Sequence, residues 1–194
     1  MKRWICALLL VSMSSLAHAI DIQENTIYPK VKLETTMGNI VVELDRKRAP
    51  ITVDNFLTYV VKGHYDNTLF HRIIPDFVVQ GGGLNPKLEE KPLDKPIVNE
   101  SGNGLSNGLG TIAMARDENP HSATAQFYFN VADNKRLDPS KRRWGYAVFG
   151  DVVEGMDVLE KMAMVETHLN TQLNWPDFPV KDIILIKATL LPRE

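Results

Sequence analysis

Between Phe70 and Gly83 the chain reads Phe-His-Arg-Ile-Ile-Pro-Asp-Phe-Val-Val-Gln-Gly-Gly-Gly, an alternating apolar run that carries Arg72, Phe77 and Gln80 and ends in three glycines. A fixed cation, an aromatic ring and a carboxamide on one strand-like run suit binding and polarisation. The run holds no Ser or Cys nucleophile, and its single carboxylate, Asp76, follows a proline at a turn. No metal-ligand spacing occurs, because His64, His121 and His168 are scattered and there is no HExxH or His/Cys cluster. Chemistry placed here must therefore need little covalent assistance. His71 adjoins Arg72 with opposite strand polarity and reads as a structural, hydrogen-bonded histidine. The triple glycine is not followed by Lys-Ser/Thr and fits no GxGxxG pattern, so it reads as backbone freedom at a strand end.

The elements that position these residues follow from hydrophobic period. Val31 to Thr36 and Asn39 to Leu44 are β-rich and are separated by Met37-Gly38, which reads as a tight hairpin. Val53, Phe56, Leu57, Val60 and Val61 recur at helical spacing from Ile51, with Pro50 near the start and Gly63 past the end. Strands are expected at 69–74, 77–81, 111–115, 126–131, 146–153 and 183–186, and a short second helix at 156–162. The Gly/Asn-rich stretch 101–110 reads as loop, the basic run Lys141-Arg142-Arg143 as a solvated surface, and 167–180 as an irregular connection. Many strands and two helices in one mid-sized domain imply a closed β-barrel, which leaves no exposed edge. Periodicity alone leaves barrel and sandwich open.

The first 19 residues read as a cleaved secretory signal, with Lys2 and Arg3 before an apolar core and Ala17-His18-Ala19 at the cut. That core is too short to span a bilayer, which needs roughly 20 apolar residues, so no stable membrane association is expected. Export to a bacterial periplasm follows. Loss of Lys2 and Arg3 leaves 20 basic against 24 acidic residues, a net charge of −4 that disfavours nucleic acid as a partner. The single cysteine, Cys6, lies in the leader, so the mature chain forms no disulfide. Nothing suggests an obligate interface, and a monomer is expected.

Three segments in order resemble the cyclophilin family of peptidyl-prolyl cis/trans isomerases, and most of all its bacterial periplasmic members. They are Phe70 to Gly83, then Gly110 to Arg116 leading to Ala125-Gln126-Phe127-Tyr128-Phe129-Asn130-Val131, then Gly145-Tyr146-Ala147-Val148-Phe149-Gly150. The similarity covers residues 28 to 191. It implies an eight-stranded antiparallel β-barrel capped by two α-helices, with no cofactor and a substrate groove on the outer face for proline-containing unfolded or partly folded polypeptides. By the same resemblance Arg72 stands at the catalytic arginine, Phe77, Val78, Tyr128 and Leu137 at the proline pocket, and Gln80 and Gln126 at two groove glutamines. Ala115 and Arg116 fall where the backbone grips residues before proline, and Tyr146 where other members carry histidine. Tyr128 replaces the usual phenylalanine and brings a hydroxyl toward an apolar floor. Arg136 occupies the position of the tryptophan associated with tight cyclosporin binding, so sensitivity to that drug does not carry over.

Overall fold

The computed structural model describes residues 21–193, and the expected signal sequence lies outside them. Strands β1 (Lys30–Thr35), β2 (Gly38–Leu44), β3 (Thr68–Ile74), β4 (Val78–Gly81), β5 (Thr111–Met114), β6 (Phe127–Asn130), β7 (Val148–Glu154) and β10 (Ile184–Leu190) close into a barrel in the order β1-β10-β3-β4-β6-β5-β7-β2. Every pairing in it is antiparallel. The first hairpin turns at Thr36-Met37, one residue earlier than expected. There the Thr35 hydroxyl donates to Gly38 O at 2.7 Å and accepts from Met37 N at 3.1 Å.

Helix α1 (Pro50–Val61) begins with proline in its first turn and buries Thr52, Val53, Phe56, Leu57, Tyr59 and Val60. Its own N-cap, Ala49, has no side chain to satisfy the orphan amides. Glu100 does so from 49 positions away: its carboxylate accepts from Ile51 N (3.2 Å), Thr52 N (2.8 Å) and the Thr52 hydroxyl (2.7 Å). A negative group at a helix N-terminus also opposes the positive end of the helix dipole. Helix α2 (Met156–Ala163) buries Val158, Leu159, Met162 and Ala163.

Aromatic rings fill the barrel. Phe56 of α1 meets Tyr65, Phe127 and Phe149 at centroid distances of 5.0, 5.5 and 5.2 Å, and Phe127 stands edge-on to Phe129 at 5.7 Å. Each such fully buried side chain contributes about 1.5 to 3 kcal/mol by burial alone. Residues 167–180, expected to be irregular, instead form a two-stranded antiparallel ribbon of β8 (Thr167–Asn170) and β9 (Trp175–Pro179). Polar and charged residues within the segment hid its strand pattern, and packing of β9 on β3 supplies the missing burial.

Alternation along the strands serves two clusters at once. Val79, Ile112, Met114, Phe127, Phe129 and Phe149 point into the barrel, while Val78, Ala113, Tyr128 and Val148 form a second buried cluster on its outer wall. The functional cleft is built on that second cluster.

Candidate active site

Arg72 reaches the outer wall because β3 breaks its own alternation. Phe70 pairs with Gly81 and Arg72 with Gln80, so His71 is an extra residue, a β-bulge. Phe70 and Ile73 both enter the core although they are three positions apart, which a regular strand cannot do. The bulge supplies the odd step and turns Arg72 out into the cleft. His71 is left buried against Trp175 of β9, with ring centroids 5.4 Å apart. The expectation of a hydrogen-bonded histidine is corrected in part, since its Nδ1 is buried without a partner. Burial, helped by the charge of Arg72, pushes its pKa down to about 4, so the ring is neutral at neutral pH.

The cleft is about 240 Å³ and is lined by Arg72, Phe77, Val78, Gln80, Ala115, Arg116, Tyr128, Leu137 and Tyr146. Nine of the ten residues singled out in the sequence thus meet at one place. The tenth, Gln126, lines an adjoining cleft of about 270 Å³ that shares Gln80, Ala115 and Arg116. The two are joined by a hydrogen-bond chain in which Arg72 Nη1 donates to Gln80 Oε1 at a long 3.4 Å, and Gln80 Nε2 donates to Gln126 Oε1 at 3.0 Å. Gly83 makes that chain possible: a Cβ there would stand 2.7 Å from the Gln126 side chain. Gly82, at φ +87°, meets the backbone requirement expected at the strand end.

No carboxylate pairs with Arg72 among the described residues, and its long bond to Gln80 is its only hydrogen bond there. The guanidinium lies 5.9 Å from the Phe77 ring centroid, and Arg136 covers that ring at 4.3 Å. On the far wall Arg116 stacks on Tyr146 at 4.5 Å. Its nitrogens donate to the carbonyls of Gly145 (3.2 Å), Trp144 (3.2 Å) and Asp117 (2.7 Å). The Arg116 side chain is therefore a brace, a role distinct from the backbone grip expected of this segment. Tyr146 meets the floor residue Tyr128 edge-on at 5.9 Å.

Tyr128 does not present its hydroxyl to the cleft. The hydroxyl donates to Asn107 Oδ1 at 2.7 Å in the interior, and burial raises its pKa well above the usual tyrosine value, keeping it a donor. Asn107 belongs to a polar cluster the sequence did not disclose. Asn130 Nδ2 donates to Asn107 Oδ1 (3.2 Å), and Asn134 Nδ2 donates to Asn130 Oδ1 and to Phe77 O, both at 2.8 Å. The Asp138 carboxylate accepts from Asn107 N (2.7 Å), Asn107 Nδ2 (2.9 Å) and the Ser106 hydroxyl (2.5 Å). Burial alone would raise the Asp138 pKa, but these donors outweigh it and hold it below the usual value. The cluster fixes Phe77 and the short 3₁₀ turn Lys135–Leu137 that carries Arg136 and Leu137. Its only sequence signal was the recurrence of asparagine in and after the stretch read as loop.

A closed barrel whose outer wall carries a cleft lined by apolar side chains, an unpaired guanidinium and the Gln80 carboxamide, with no serine, cysteine or carboxylate in that lining, defines an enzyme of the binding-and-polarising kind; Gln126, Glu90 and Asp117 line the cleft that adjoins it. Residues 30–189 match the family model for cyclophilin type peptidyl-prolyl cis-trans isomerase/CLD, and the chain belongs to that family. It is 49% identical over 168 residues to a peptidyl-prolyl cis-trans isomerase of Acinetobacter baylyi, covering 86% of each chain. It is 46% identical over 163 residues to peptidyl-prolyl cis-trans isomerase B of Escherichia coli, covering 82% of this chain and 98% of that one. Among solved structures, a Cryptosporidium parvum cyclophilin type isomerase determined in the presence of the dipeptide Ala-Pro has the same fold. Its TM-score is 0.72 at 23% identity, covering 84% of this chain and 99% of that one. Among the described residues no helix is long and apolar enough to cross a membrane.

Proposed function

We propose that the cleft receives the proline ring of an X-Pro segment and that Arg72 stabilises the twisted imide. The planar X-Pro amide prefers trans by only about 0.5 to 1 kcal/mol, yet rotation faces a barrier of about 18 to 20 kcal/mol because of C–N double-bond character. In the twisted transition state that resonance is lost and the proline nitrogen becomes a basic acceptor. A donor aimed there binds the transition state more tightly than either planar isomer, which is the condition for catalysis. The observation that carries this reading is the Arg72 guanidinium at the rim of an apolar cleft with no carboxylate partner and one weak 3.4 Å bond, so its donors are available. Phe77, Val78, Tyr128 and Leu137 anchor the ring, Gln80, Gln126, Ala115 and Arg116 hold the flanking peptide, and Tyr146 closes the wall.

A rate gain on the order of 10⁵ needs roughly 7 kcal/mol of differential binding. One preorganised donor of this kind supplies about 3 to 4 kcal/mol, and positioning the remainder. In a protease-coupled proline-peptide assay Arg72→Ala should lower kcat/KM by about 100- to 1000-fold with an unchanged circular dichroism spectrum. Equal rates for the two proteins would sink the mechanism. We infer further, from the reading of residues 1–19 as a secretory signal, that the activity serves folding polypeptides in a periplasm and is carried by a monomer without metal or cofactor. A module that held unfolded chains in the groove without turnover would need Tyr128 to crowd the proline pocket, and the hydroxyl's engagement with Asn107 speaks against that reading.

A further inference from the structure

We infer that the loop 138–144 extends the cleft into a second client-binding surface that takes acidic side chains near the proline, an inference that rests on the isomerase reading above. Residues 135–143 hold five basic side chains, Lys135, Arg136, Lys141, Arg142 and Arg143, against one acid, Asp138, in a chain whose formal net charge is −2. Asp138 does not neutralise them, because its carboxylate is taken up by Ser106 and Asn107. Lys141 and Arg142 make no side-chain hydrogen bond or ion pair among the described residues. The loop is nevertheless ordered by the Ser140–Arg143 bridge and by the Arg143 guanidinium, which donates to the carbonyls of Arg136 and Asp138.

The result is a concavity of about 380 Å³ lined by Lys141, Arg142, Arg143 and Trp144. Trp144 is 48% exposed, yet its ring is steadied edge-on by His121 at 5.1 Å. Both edges of the loop are tied to the cleft. Arg143 holds the carbonyl of Arg136, which covers Phe77, and Arg116 holds the carbonyl of Trp144 while stacking on Tyr146. A polypeptide leaving the cleft along this wall meets cations and an aromatic face, the chemistry of an acidic peptide segment. Continuity with the cleft favours that occupant over a lipid surface or a nucleic acid.

The test compares kcat/KM on an Ala-Pro peptide flanked by Glu, by neutral residues or by Lys, with the chain from Ile20 onward, whose tryptophans are Trp144 and Trp175, and with its Lys141→Glu/Arg142→Glu variant. At low ionic strength the Glu-flanked peptide should be turned over about fivefold better than the neutral one, and the preference should vanish near 0.5 M salt. The variant should lose or reverse the preference while its rate on the neutral peptide is unchanged. Independently of turnover, Trp144 emission in a Trp175→Phe background should respond to the Glu-flanked peptide and not in the double variant. No Glu preference, a preference that survives the double variant, or an emission response to an oligonucleotide or anionic vesicles but not to the acidic peptide would overturn the inference. Absence of turnover on every peptide would overturn the isomerase reading alone, with the emission titration then deciding this one.

Discussion

Tyr128 and Asn107 meet at 2.7 Å, hydroxyl to carboxamide oxygen, and this contact turns a polar side chain into an apolar cleft floor. The ring faces the cleft and the oxygen faces the interior, where Asn130 and Asp138 hold the same asparagine. Tyr128→Phe should therefore leave kcat/KM within about twofold of wild type, since the face presented to the cleft is unchanged. It should cost about 1 kcal/mol in urea unfolding, the net worth of one hydrogen bond whose acceptor keeps a second donor. A large rise in turnover would mean that the hydroxyl obstructs the cleft after all.

His71 gives the chain a pH-dependent stability. Its folded pKa of about 4 lies below the unfolded value near 6.5, so the unfolded state takes up the proton first as pH falls. The group's full contribution is present above that unfolded value, is lost progressively between it and the folded one, and changes no further below. Between pH 7 and 5 the loss should be about 2 kcal/mol, at about 1.4 kcal/mol per pH unit. In urea unfolding, wild type should lose about 2 kcal/mol relative to His71→Leu across this range as pH falls, and parallel curves would rule the assignment out.

Gly83→Ala tests whether the carboxamide chain tunes the site. The new Cβ would stand 2.7 Å from both Cγ and Nε2 of Gln126, so that side chain must rotate as a whole, at a cost of about 1 kcal/mol in stability. Gln80 then loses its acceptor and Arg72 its restraint. A fall in kcat/KM of about three- to tenfold, corresponding to about 0.6 to 1.4 kcal/mol, is expected with a melting temperature lowered by about 2 to 4 °C at most.

Glu100→Ala separates fold from function. It strips α1 of three hydrogen bonds at an N-terminus that has no side-chain cap of its own. The expected cost is about 1 to 2 kcal/mol in denaturant unfolding, with kcat/KM on a saturated folded population unchanged. A loss of activity in the folded state would tie α1 to the cleft in a way its contacts do not suggest.

The sequence by itself determined the barrel strands, both helices and nearly all of the cleft lining. Period-2 alternation, helical spacing and three matching segments are local properties that survive without coordinates. The ribbon at 167–180 escaped because its strands are partly exposed and polar, stabilised by docking on β3 and not by their own pattern. The polar cluster of Asn107, Asn130, Asn134 and Asp138 escaped for a different reason. Asn107 in its loop and Asn130 at the end of β6 satisfy one another only when the chain brings residues 23 positions apart together, and nothing in their spacing announces it. Tertiary structure alone also decided two orientations. The bulge at His71 turns Arg72 outward against simple alternation, and the Asn107 contact turns the Tyr128 hydroxyl inward. Both depend on partners across the sheet, Gln80 in one case and the 101–110 segment in the other, that a one-dimensional pattern cannot place.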